Sequence, residues 1–452
     1  MKKTKKAQAS SESKKELTAK KPSEKRGSSN LQSVKGMHDI LASETIIYEK
    51  AYRTFRDLCE YYSFNPITTP ILEPIELYQR TTGETSDIVE KEMFSLRTKG
   101  KDMLALRPEF TPGICRAYLE HGMNKWPQPV KLFSIGPLFR YQKPQAGRLR
   151  QFNQMDIEII SLENDPIYDV QSILIAFKTI EALRVKNLNI KINSIGCKNC
   201  RSQYRKHLTN YYGSHEKSLC LDCKRRAKQN VLRLLDCKVE KCQPIKQGAP
   251  VILDHFCNDC KGHFRSVLEH LDNLKLPYVL DHFLVRGLDY YTNTVFEIFS
   301  DSGNGEINFA LAGGGRYDYL IESLGGKHTP AVGAAIGVES TIEAMRYYDV
   351  LPKQRASDKN VFFVHVGELA KKQSLSIIEE LRKEKIAIVE SLGKESLGAQ
   401  LKQADKLQAP LALIFGQKEA YEEAIILRDM KSGAQETVPL SKIAGMIKRR
   451  LV

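Results

Sequence analysis

Between residues 45 and 63 the apolar side chains Ile46, Ile47, Ala51, Phe55, Leu58 and Cys59 recur at helical spacing, which predicts a helix with one buried face. Asn65-Pro66 and Pro70 interrupt that period, and residues 67–72 read as a strand. Proline cannot donate a ladder hydrogen bond, so this strand is expected at an edge or an interface. Residues 131–135, 152–160 and 294–298 read as further strands, with a helix over 173–183. Strands and helices do not alternate regularly here. That favours an α+β arrangement in which helices pack around an antiparallel sheet.

The texture changes twice further along. Residues 190–275 are rich in Cys, Lys and Arg and predict a helical insertion, placed at about 195–270. From 360 onward short apolar strands (VFFVHV, IAIVE, LALIFG, AIILR) alternate with amphipathic helices, the pattern of a compact α/β domain. A linker is expected at 351–358, between a first body at 31–350 and a second at 359–452. No internal repeat is present in the 452 residues, a length that accommodates two or three domains.

Composition adds charge to this picture. The formal net charge is +15, and residues 1–30 carry ten Lys/Arg against three Glu. Their Ser, Lys and Glu content and lack of aromatic residues predict a disordered tail. Three readings of it stay open: an arm attracted to RNA phosphates, a solvated extension, or a transit peptide, the last fitting poorly with Glu present. The longest apolar stretches, such as 361–366, are too short to cross a bilayer, and no apolar segment follows the basic N-terminus. The expectation is a soluble cytoplasmic protein.

Three separated segments combine charge with residues suited to ligand contact. They are Leu106-Arg107-Pro108-Glu109-Phe110-Thr111; the run from Gly136 through Arg140, Arg148 and Arg150 to Glu158; and Arg286-Gly287-Leu288-Asp289-Tyr290-Tyr291, followed by Gly313-Gly314-Gly315. Two strands joined by an Arg-rich loop can grip a triphosphate, because the guanidinium is a permanent planar cation that contacts phosphate bidentately. Along the second strand Gln154, Asp156 and Glu158 share one face by period two. That stripe is costly in a dry core without partners, and a pocket for a polar, cationic small molecule supplies them. Taken singly, an Arg-rich loop is usually a solvated turn and GGG usually a flexible bend. Their joint appearance in this order carries more.

These segments resemble those of the histidyl-tRNA synthetases. ITTPILEP, centred on Pro70, is similar to class II motif 1, which is associated with the dimer interface; GPLFRYQKPQAGRLRQFNQ resembles motif 2. LVRGLDYYTNTVFE and LAGGGRYD resemble two stretches characteristic of the histidine-specific enzymes, and the C-terminal unit resembles their anticodon-binding domain. The resemblance implies a class II catalytic core, substrates L-histidine, ATP and tRNA-His, Mg²⁺, and a homodimer. It implies that Arg140 contacts the α-phosphate and the histidine carboxylate, that Arg286 is a second catalytic cation there, and that Arg148 holds the distal phosphates. Glu109, Thr111, Gln154, Tyr290, Tyr291 and Tyr317 are then expected to line the amino-acid side, with Glu158 and Tyr291 fixing the imidazole nitrogens. For Arg286 the alternative is a plain ion pair with Asp289 or Glu297.

Three positions depart from the pattern. Ser340, in the motif 3-like Gly333–Ser340 segment, stands where the family usually has an Arg that stacks on adenine and approaches a phosphate. Weaker ATP binding is expected unless Arg346 or another cation compensates. Gln142 and Asn153 stand where Glu and His are more usual. Separately, Cys197, Cys200, Cys220, Cys223, Cys237, Cys242, Cys257 and Cys260 form four close pairs, the number that two Cys₄ zinc sites require; unliganded thiols are the alternative. Two rivals to an enzyme stay open: a catalytically weak regulatory paralogue, favoured by Ser340, and an RNA-binding protein using the tail and insertion.

Overall fold

A computed structural model describes residues 31–83, 86, 88–143, 149–301, 309–352, 361–393 and 396–451. The basic tail, residues 144–148 including Arg148, and most of the expected linker lie outside them. The chain forms two compact units, the first ending at Leu351 and the second beginning at Pro352.

The first helix, Ala42–Tyr61, buries Ile47, Ala51, Phe55 and Cys59 of the predicted stripe and Tyr48 besides, while Ile46 is exposed and Leu58 half-buried. Phe55 meets Phe133 of the sheet edge-on, with ring centroids 5.9 Å apart. The strand expected over 67–72 is not one strand. Asn65–Pro66 pairs in parallel with Leu132 and Phe133 at the edge of the main sheet. The chain then leaves that sheet, and Leu72–Pro74 joins a separate three-stranded sheet with Met103–Leu106 and Ser95–Arg97. Pro66 and Pro70 are the physical cause, since neither offers an N–H with which to continue a ladder.

The main sheet has eight strands, in the order Asn65–Pro66, Val130–Phe139, Gln151–Ile160, Ala331–Gly337, Ala312–Arg316, Thr292–Ser300, Leu188–Ser194 and Tyr278–Leu280. Only the outermost pairing at each end is parallel; the rest is antiparallel. Val130–Phe139 and Gln151–Ile160 pair along their whole length, from Val130 opposite Ile160 to Phe139 opposite Gln151. In Gln151–Ile160 the side chains of Met155, Ile157 and Ile159 enter the main hydrophobic core, which leaves Gln154, Asp156 and Glu158 on the opposite face. Helix Pro166–Ala182 begins earlier than its apolar period implies, because Asp165 caps it by accepting from the Ile167 N–H at 2.9 Å.

Ala312–Arg316 was not legible as a strand, and its three glycines are not a bend. They lie mid-sheet in tight contact: a Cβ on Gly314 would fall 2.1 Å from the Gly333 carbonyl oxygen. The helical insertion lies between strands Leu188–Ser194 and Tyr278–Leu280, so residues 188–194, expected in part within it, belong to the sheet. Its helices Lys198–Ser214 and Asn258–Asn273 bury Tyr204, Leu208, Phe264 and Leu271 in the same core as the main sheet.

The second unit is the expected α/β domain. Its sheet runs Ile388–Glu390, Val361–His365, Leu411–Phe415, Ala424–Asp429, Gln435–Pro439, parallel through the first three strands and antiparallel after. Phe363 and Leu413 meet Leu381, Ile443 and Ile447 on one face, while Phe362 and Val364 meet Ala404 on the other. Gln435–Pro439 escaped the sequence pattern because only Val438 in it is buried.

Candidate active site

Arg140 directly follows the strand that ends at Phe139. Its Nε donates to the Pro108 carbonyl at 2.9 Å, and its guanidinium carbon lies 5.4 Å from the centre of the Phe152 ring. Arg286 arrives from the loop before Thr292–Ser300. Its guanidinium covers Gly313, where an added Cβ would meet it at 2.7 Å, so a side chain at 313 would displace it. Both arginines line one cavity of about 430 Å³, together with Gln142, Gln154, Gly313 and Ser340. The ion pair foreseen as an alternative for Arg286 also exists, with Glu297 of the neighbouring strand. Asp289 is instead bonded by Asn230, whose Nδ2 donates to it at 2.6 Å. A guanidinium has five N–H donors, so one carboxylate partner orients it without exhausting it.

Behind the arginines, two buried carboxylates are each held by two hydroxyls. Thr111 donates to Glu158 Oε1 at 2.5 Å and Tyr317 donates to Oε2. Thr82 donates to Glu109 Oε1 at 2.8 Å and Tyr290 to Oε2 at 2.5 Å. Burial pushes the Glu158 carboxyl up to about 7, against the pull of Thr111 and Tyr317. Burial also raises Glu109, opposed by Tyr290, Arg140 and Thr82. The Tyr290 ring packs against Tyr291 at 4.8 Å and edge-on to Tyr317 at 5.8 Å. Room for the Glu158 carboxylate depends on Gly333, where a Cβ would lie 1.7 Å from Oε2. Thr82 was missed in the sequence, where no local pattern connects it to Glu109. Asp156, also buried, is raised well above the ordinary range by burial and by the charges of Glu158 and Glu109.

The departures find explanations in part. Asn153 gives its backbone N–H and its Nδ2 to Glu339, and Gln142 Nε2 donates to the Leu149 carbonyl at 2.8 Å. Ser340 does line the cavity, but Arg346, one cation that could have compensated, is exposed and is not among its lining residues. Arg226 and Arg233 from the insertion line it instead. Arg148 lies outside the described residues.

The eight insertion cysteines fall into two clusters whose sulfurs all lie within 4.8 Å of one another: Cys197, Cys200, Cys257, Cys260 and Cys220, Cys223, Cys237, Cys242. Each cluster therefore combines two of the close pairs. All ten cysteines of the chain are unbridged.

A mostly antiparallel sheet with two arginines lining one cavity, followed by a separate α/β unit, defines a class II aminoacyl-tRNA synthetase. Within that class, residues 36–199 and 224–341 match the family model described as histidyl-tRNA synthetase, and 360–450 match that of the anticodon binding domain. A histidine–tRNA ligase of Desulfitobacterium hafniense is 39% identical over 93% of this chain and 98% of its own length. One from Aquifex aeolicus is 41% identical over 92% of this chain and 100% of its own. The apo Staphylococcus aureus histidyl-tRNA synthetase superposes with a TM-score of 0.75 at 30% identity, covering 92% of this chain and 100% of that one. The chain belongs to the histidyl-tRNA synthetase family.

Proposed function

We propose that this protein activates L-histidine with ATP and transfers the histidyl group to the 3′ end of tRNA-His. The observation that carries the reading is convergence: Arg140 and Arg286 share one cavity, beside a buried pocket of Glu109, Glu158 and three tyrosines. In activation a histidine carboxylate oxygen bonds to the α-phosphorus while the bond to the leaving pyrophosphate breaks. Both reactants are anionic, so positioning and charge neutralisation dominate the barrier. Arg140 takes the carboxylate and the α-phosphate. Arg286, steadied by Glu297, meets the charge that develops at the α-phosphorus. Arg148 holds the distal phosphates.

Mg²⁺ fits the cavity's chemistry. Glu92, Asp236 and Glu339 line it with the hard oxygen donors this ion takes; Glu339 is engaged by Asn153, which leaves Glu92 and Asp236. Bound there with the triphosphate, the ion supplies neutralisation of β- and γ-phosphate charge.

On the amino-acid side, Glu158 and Tyr291 recognise the two imidazole nitrogens, and Glu109, Thr111, Gln154, Tyr290 and Tyr317 line the rest of the pocket. Each carboxylate keeps acceptor capacity beyond its two hydroxyl partners, which an imidazole can use and an apolar amino acid cannot, a discrimination on the order of 10⁴. The C-terminal unit reads the anticodon, the molecule works as a homodimer, and the two cysteine clusters hold structural Zn²⁺. Two clusters of unbridged thiols suit the reducing cytoplasm.

Histidine-dependent exchange of pyrophosphate into ATP tests the activity. Wild type is expected to exchange with histidine and with no other amino acid. Ser340 favours a second reading, a weakly catalytic regulatory paralogue; absence of exchange would count against the first reading and favour that one or an RNA-binding protein.

A further inference from the structure

The helix Leu221–Gln229 has the sequence LDCKRRAKQ and buries a single residue, Cys223. An isolated helix of this length is marginal in water, and hydrophobic packing of one thiol does not hold it. Yet the segment it opens is part of the active-site wall: Arg226, Arg233 and Asp236 line the cavity alongside Ser340. Both ends of that wall are cysteines. Cys223 stands one helical turn before Arg226, and Cys237 directly follows Asp236.

These two cysteines meet Cys220 and Cys242. Cys220 Sγ lies 4.0 Å from Cys237 Sγ. The Cys220 N–H points at Cys242 Sγ at 3.3 Å, and the Cys223 N–H at Cys220 Sγ at 3.4 Å. Four sulfurs bound tetrahedrally to zinc at about 2.3 Å stand roughly 3.8 Å apart, and backbone N–H groups aimed at sulfur favour the thiolate form that zinc requires. The other cluster has the same arrangement: Cys200 and Cys260 sulfurs are 3.9 Å apart, and the Cys197 and Cys257 N–H groups point across at Cys260 and Cys200 at 3.2 and 3.1 Å.

We propose that a zinc ion held by Cys220, Cys223, Cys237 and Cys242 clamps residues 224–236 into the cavity wall, so that Arg226 and Arg233 bind the phosphates of ATP where Ser340 supplies no charge. This rests on the nucleotide-binding reading above. Asn230, midway along the clamped segment, bonds to Asp289 at 2.6 Å, which ties the same wall to the loop that carries Arg286. The metal thus acts at a distance through two positioned side chains. It takes no part in the reaction.

Elemental analysis of the full chain and calorimetric titration with ATP, alone and beside histidine-dependent exchange, test the proposal. Wild type is expected to hold about two zinc ions, and Cys223→Ser about one. Cys223→Ser should weaken ATP binding by about tenfold, the worth of a charge-assisted hydrogen bond. Arg226→Ala with Arg233→Ala, which spares every sulfur, should retain both zinc ions and show the same loss of ATP affinity. Adding Ser340→Arg to that double variant should recover most of it. Iron in place of zinc, or fewer than about one zinc per chain, would overturn the metal assignment. Unchanged ATP affinity in the double arginine variant would overturn the clamp. If wild type shows no histidine-dependent exchange, the synthetase reading fails, while the zinc content and ATP titrations still decide the clamp.

Discussion

Glu158 is the residue whose environment most constrains its chemistry. Its carboxyl, ordinarily ionised above 4.5, is raised by burial to about 7. Between those values the unfolded chain is ionised there and the folded chain protonated, so this group's contribution to stability falls as pH rises from about 4.5 to 7. Recognition of an imidazole N–H needs the ionised form, and so runs the other way. The KM for histidine is expected to fall as pH rises through 7, and Glu158→Gln to be uniformly weak and to lack that limb; identical profiles for the two would refute the assignment. Arg286→Ala should cut histidine-dependent exchange by at least about a hundredfold with a smaller effect on histidine affinity, since its charge is needed most as the phosphoryl charge develops. Glu158 could be singled out in the sequence because polar side chains at period two inside an apolar strand announce a ligand or a partner, whereas Arg286, on a loop, was singled out only through the resemblance of its segment. Thr82 was not, because a threonine's distant hydrogen-bond partner leaves no trace in its neighbours.

Elements also meet through a buried ionic cluster that sequence alone did not expose. Arg316, at the end of the glycine strand, donates to Asp169 of helix Pro166–Ala182 and to Asp318, which accepts in turn from Thr292 and Asn293. His263 of helix Asn258–Asn273 places Nε2 3.5 Å from Asp169. Burial opposes ionisation of Asp169, but Arg316 and His263 more than offset it and hold the carboxyl well below the ordinary range. The stability this contributes is present above about pH 4 and is lost as acid carries the folded state through the depressed value. Asp169→Ala leaves the Arg316 charge buried without its main partner. A loss of about 3–5 kcal/mol in denaturant unfolding is therefore expected; a change below about 1 kcal/mol would contradict it. The glycine strand itself hid from the hydrophobic pattern because glycine has no side chain to score. It is a strand because it pairs with Ala331–Gly337 and Thr292–Ser300 along its two edges, and the close approach of the Gly333 carbonyl and Phe296 leaves no room for a side chain at 314.

At the scale of the whole molecule, the cysteines show where sequence stops. Spacing yields four pairs, but only folding brings 197 and 200 beside 257 and 260, because two helices that begin at those pairs pack into one core. The small three-stranded sheet presents a similar case. Its pieces, Leu72–Pro74, Ser95–Arg97 and Met103–Leu106, leave Ile71, Leu72, Leu96 and Met103 between 36% and 45% exposed. Large apolar side chains grouped beside unpaired strand edges are a surface that a lone chain gains by covering. They adjoin Pro70, where the family resemblance expects a dimer interface. A second copy of the chain is the occupant this points to. Sedimentation should accordingly give twice the 51.3 kDa chain mass. Leu72→Asp with Met103→Asp buries unpaired charge only if the surface is covered, so that variant should sediment as a monomer with its circular dichroism retained. A wild type that stays monomeric at micromolar concentration, or a charged variant that dimerises as well as wild type, would remove this face from the assembly.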